Sequence, residues 1–98
     1  MNAPPKLVDG ARVLAYTPID SRHVTSGRTK HLVGGVPAPR PHALAIARYD
    51  DAHGVYLFAC DQAWKTVTDT WHQSIDDAKA QAEFEHAGTV NTWIDCDP

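Results

Sequence analysis

The 98-residue sequence has no apolar run near the roughly 20 residues that a membrane-spanning helix needs. No apolar core follows Lys6, so a secretory signal is not expected and a cytoplasmic protein without membrane association is. Cysteine is scarce. Cys60 and Cys96 stand alone, with no Cys-x-x-Cys pair, which argues for reduced thiols rather than a disulfide scaffold or a zinc framework. The six histidines, His23, His31, His42, His53, His72 and His86, include no His-x₃-His and no His-Glu-x-x-His. Gly34-Gly35 is followed by neither a Lys-Ser/Thr pair nor a helical pattern, so no phosphate loop is present. There are no internal repeats and no low-complexity run. Nothing here calls for a cofactor or a metal.

What is present is an ordinary globular composition, 43% apolar and 21% charged, in a chain long enough for one core. Residues 43–88 hold the clearest pattern. Ala43 to Asp50 reads as a strand, with Leu44, Ile46 and Arg48 on one face and Ala43, Ala45, Ala47 and Tyr49 on the other. The alanine face would let a helix lie close. Asp51 to Gly54 carries turn chemistry, and Val55 to Asp61 returns as a central strand. Thr66 to His72 is a third, threonine-rich strand. Ser74 caps a helix that Gly88 follows, with Asp76 and Asp77 at its positive end.

That helix has two apolar stripes. Ile75, Ala78 and Ala82 lie on one side, and Ala80, Phe84 and Ala87 nearly opposite. One stripe packs on the sheet. The other is expected either under a C-terminal segment bearing Trp93 and Ile94 or at a partner surface. Upstream, Ala11 to Ile19 is a strand, with Val13, Ala15 and Thr17 facing one way and Arg12, Leu14 and Tyr16 the other. Residues 1–10 read as a flexible tail, and 11–98 as a single domain with a long irregular basic segment at 20–42. Lys30 to Val33 can pair briefly within it, and residues 89–95 can add a short strand or cover. The fold class is α+β: a three- to four-stranded antiparallel β-meander with one α-helix, about 74–87, packed on one face.

Charge is uneven. Residues 1–42 carry six cations and two acids, for a net +4; residues 43–98 carry three cations and ten acids, for a net −7. Arg22, Arg28 and Lys30 therefore join the loop residue Trp64 and the second-stripe Phe84 as a candidate partner surface. Trp71, beside the helix start, reads as core. Cys60 paired with His72 could form a nucleophile, but a cysteine inside an apolar strand is ordinarily an inert core residue. Asp69, mid-strand between threonines, is placed where aspartate is disfavoured, and a bond to Trp64 or an arginine would explain it. The first functional expectation is a small non-enzymatic module that binds another protein or a second copy. A nucleic-acid-associated, antitoxin-like regulator using the basic segment is the alternative. An enzyme with an unrecognised site is the third.

The chain also carries Ala45-Ile46-x-x-Tyr49, Tyr56-x-x-x-Cys60-Asp61-x-x-Trp64, Asp69-Thr70-Trp71 and Ser74-x-x-x-Ala78-x-x-Gln81-Ala82-Glu83. In these it resembles a group of small bacterial proteins of unknown function. The resemblance spans about half the chain and implies no catalytic residues. The strand–strand–strand–helix order is also similar in topology to antitoxin modules of the HicB type.

Overall fold

The computed structural model describes residues 2–27 and 31–96. The first two strands are β1 (Leu7–Val8) and β2 (Ala11–Pro18), joined as a hairpin through Asp9-Gly10. Both turn residues have positive φ, 51° and 80°, the geometry that matches a two-residue turn to the twist of its strands. The segment expected to be a tail thus contributes a strand, and its Val8 is buried.

Three two-residue strands follow in the basic segment: β3 (Val24–Thr25), β4 (Leu32–Val33) and β5 (Val36–Pro37). The long strands are β6 (Ala43–Arg48), β7 (Val55–Cys60) and β8 (Thr66–His72), within two residues of where the alternation puts them. Helix α1 spans Ile75–Glu85, with Ser74 Oγ accepting from the Asp77 amide at 3.1 Å. Strand β9 (His86–Ala87), a 3₁₀ turn at Thr89–Asn91 and β10 (Ile94–Asp95) complete the order.

The main sheet runs β1-β2-β6-β7-β8, all antiparallel, and β10 also pairs with β2. It is therefore five to six strands wide and curls as a half-barrel, where the sequence pattern implies three or four. The short strands β1 and β10 have too few residues to show a period of two, which is why the count comes out low. They lie end to end on one edge of β2: the Cys96 amide donates to the Leu14 carbonyl and the Val13 amide to the Lys6 carbonyl.

The two faces of the sheet bury different things. Helix α1 lies on the Leu44 and Ile46 face, and Ile75, Ala78 and Ala82 pack there with Val55, Leu57 and Trp93. The alanine face does not receive it. The close approach comes from the alanines of the helix, and Ala43, Ala45 and Ala47 instead leave room for Phe58, Trp64, Tyr16, Tyr49 and Tyr56.

A bulge between Val13 and Ala15 inverts the alternation in β2. Val13 joins the alanine-face core, Leu14 packs on the helix-face core, and Tyr16 returns to the alanine side. The expected facing therefore fails beyond Leu14.

Candidate functional site

The site is built where the 20–42 segment is fastened over the end of α1. His23 is buried in its first turn. Its Nδ1 accepts from the Asp20 amide at 3.1 Å, so Nε2 carries the proton and donates to Thr92 Oγ1 at 2.9 Å. Strand β3 pairs with β9, and Thr25 Oγ1 shares a 2.9 Å hydrogen bond with His86 Nδ1. Ser26 Oγ donates to the Phe84 carbonyl. His31 Nε2 donates to Glu85 Oε1 at 2.6 Å, while Gln81 Nε2 donates to Glu85 Oε2 at 3.0 Å. Arg40 closes the loop on itself, its guanidinium donating to the carbonyls of Asp20 and His23.

Between this segment and the sheet lies a cavity of about 310 Å³. Its floor is the helix face of the sheet where the helix has ended: Leu44, Leu57, Ala59, Val67, Thr68 and Thr70. Its roof is residues 37–41, Pro-Ala-Pro-Arg-Pro, and its wall includes His31, Glu85 and His86. Further apolar side chains are exposed along the same segment and on the helix end. Strand β3 carries the exposed Val24 beside β9, and the half-exposed Phe84 lies on the last helical turn. The β4–β5 hairpin begins directly after His31 and presents Leu32, Val33 and Val36, the first and last more than 60% exposed.

The expected partner residues fare differently. Phe84 is 46% exposed; Trp93 packs on the helix-face core and Ile94 pairs with Tyr16. Trp64 is not at the surface. Asp61 Oδ1 accepts from the amides of Ala63 and Lys65, and this loop turns Trp64 inward at φ 63°. Its ring meets Tyr16 edge-on at 5.7 Å, and its indole N–H donates to the Asn2 carbonyl. Trp71, expected in the core, is 50% exposed instead. Arg22 is exposed but bound in two places to the Asp20 carboxylate. That pairing holds the Asp20 carboxyl well below the usual carboxylate range. Arg28 and Lys30 lie outside the described residues.

The chemical constellations do not assemble. Cys60 and His72 sit at opposite ends of their paired strands, facing Thr66 and Val55, with Cys60 in the alanine-face core. Burial, with help from the Asp61 charge, pushes the Cys60 thiol up to about 12. At neutral pH a disulfide-forming thiol reagent is therefore expected to modify the less buried Cys96 and to reach Cys60 only on unfolding. Prompt modification of two thiols in the native protein would contradict this. Asp69 is exposed on the edge strand β8, and the indole it was expected to bind is taken by Asn2. A mid-strand acid on a free edge discourages pairing with another sheet. No cluster of three metal-ligating side chains occurs among the described residues. No described helix is long and apolar enough to cross a membrane.

Two histidines near the site titrate low. Burial lowers His86, and burial likewise lowers His72, whose Nε2 pairs with Thr70 Oγ1. The unfolded chain then binds protons that the folded one refuses. The stabilisation is complete above the ordinary imidazole value of about 6.5 and is lost as pH falls from there toward the folded values. Melting temperature is expected to drop between pH 7.5 and 5, and the drop to shrink in His86→Asn. A flat profile would show that neither ring resists protonation.

The His31–Glu85 pair has no signal in the sequence. Nothing local marks His31 out from the other histidines, and its partner lies 54 positions away. The hairpin was half legible, since two glycines between apolar pairs signal a turn. Comparison with protein-family models, with curated proteins and with solved structures finds no match to this chain.

Proposed function

We propose that the protein is a small non-enzymatic binding module that engages another protein, or a second copy, through the apolar collar around the end of α1. The observation that carries this reading is the exposure of Val24, Leu32, Val33 and Val36 along the segment fastened to the end of α1, with Phe84 exposed on the last helical turn. Exposed apolar side chains gathered at one place mark interaction surfaces, whereas single ones are commonplace. The contacts from His31, Thr25 and Ser26 to the helix end give the collar a fixed mounting. Phe84, one of the residues expected on such a surface, is kept in it; Trp64 is replaced by the hairpin.

The test compares the wild type with a Leu32→Asp/Val36→Asp variant. Both side chains are exposed, so the fold should survive. Nuclease-treated pull-downs should retain a stoichiometric protein with the wild type only, or sedimentation should show self-association that the variant loses. Identical behaviour of the two proteins would end the reading. The nucleic-acid alternative draws on the basic segment, but its described cations Arg22 and Arg40 are engaged by Asp20 and by backbone carbonyls. Salt-sensitive binding to DNA or RNA that survives in the variant would revive it.

A further inference from the structure

We infer that the cavity beneath the collar is itself a binding site, and that it takes a small, uncharged, mainly apolar molecule about the size of a substituted aromatic ring. This site does not depend on the collar's having a partner.

Three observations carry the inference. The first is the size. About 310 Å³ lies at the lower end of the range of small-molecule pockets, roughly 300–1,000 Å³.

The second is what keeps the space open. The helix ends at Glu85, and the cross-strand neighbours Ala59 and Thr68 line the hollow. Ala59 is too small to fill the gap. Above it, Pro37, Pro39 and Pro41 alternate along the roof. Their fixed φ angles favour an extended strap that bridges the hollow instead of collapsing into it.

The third is the state of the polar groups. Each oxygen of Glu85 already accepts a hydrogen bond, from His31 and from Gln81. The Arg40 guanidinium donates from Nη2 to two carbonyls, and His86 is paired with Thr25. Among the described residues the lining is mainly apolar, so an ionic ligand would give up hydration for little counter-charge. A neutral one gains by covering Leu44, Leu57, Ala59 and Val67, and a single polar substituent could meet Thr68 on the floor.

The experiment is a titration of isotopically labelled full-length protein, read by amide shifts, with three probes of similar bulk: indole, benzoate and benzylammonium. Indole is expected to shift the amides of Ala59, Thr68 and Thr70 saturably in the millimolar range or below. Intermolecular cross-relaxation should place it against the Leu57 methyls. The charged probes should saturate only at higher concentration. Ala59→Trp, which fills the hollow from the floor, should abolish saturation. Ala38→Trp fills it from the roof, in a loop where folding is not at stake, and should do the same. The inference is overturned if no probe saturates, if a charged probe saturates first, if indole is located elsewhere, or if its binding survives the roof variant.

Discussion

Phe58→Ala is expected to remove about 3–5 kcal/mol of stability, the largest loss of any single truncation in this chain. Phe58 is fully buried in the middle of the central strand β7. Its ring stacks on Tyr56 at 5.7 Å, and Tyr56 meets Tyr49 edge-on at 5.6 Å. The residue opposite it on β6 is Ala45, and the flanking Ala43 and Ala47 are equally short. None of these can reach into the space the ring leaves. The backbone cannot close it either, because β7 is held by hydrogen-bonded strands on both sides. The cavity therefore persists, and its cost is at the upper end of the range. Domains of this size have about 5–15 kcal/mol in all, and each kilocalorie moves the melting temperature by about 4–8 °C. Urea unfolding followed by circular dichroism checks the value. A loss under about 1 kcal/mol would mean that the alanine face is not packed around this ring.

Gly54→Ala comes next, at about 2–4 kcal/mol from backbone strain and overpacking together. Gly54 has φ +75° in the β6–β7 turn. A β-carbon there would lie 2.4 Å from the His72 carbonyl oxygen and 2.7 Å from the Trp71 ring. The carbonyl belongs to β8 backbone and has little freedom. The ring is tied down too, since its indole N–H donates to the His53 carbonyl at 3.1 Å. Gly34→Ala is the control. Its φ is +60°, but no atom lies within 4 Å of the new carbon, so it should cost no more than the backbone strain of about 1–2 kcal/mol. Equal losses in the two variants would show that space at Gly54 is not limiting.

The parts of this fold that sequence reading reaches are those whose causes are local. Alternation and turn residues place β6, β7 and β8, and the Ser74–Asp77 cap places the start of α1. The Asp9-Gly10 hairpin carries the same kind of signal, but two flanking residues are too few to show a strand beside it. The two tryptophans exchange roles for a reason that is only half local. Asp61 builds the loop, but Trp64 turns inward because alanines on the neighbouring strand have left it space. The bulge at Leu14 has no residue signature at all. The candidate site was the least legible, because its fastenings join residues far apart: His31 to Glu85, Thr25 to His86 and His23 to Thr92 across 54, 61 and 69 positions. Residues 20–42 look irregular alone because what orders them comes from the other end of the chain.

The end-to-end placement of β1 and β10 means that residues 6–8 and 94–96 are halves of one strand. Both run antiparallel to β2, with Cys96 bonded at Leu14 and Lys6 at the next position, Val13. Splicing Cys96 to Lys6 through a short linker would make these two halves covalently continuous. New ends could then be cut at the exposed Gly34–Gly35 turn, where little is buried. Such a circular permutant is expected to keep the native circular-dichroism spectrum and cooperative unfolding. Loss of both would mean that the order in which the strands are joined, and not only their pairing, is needed to form the sheet.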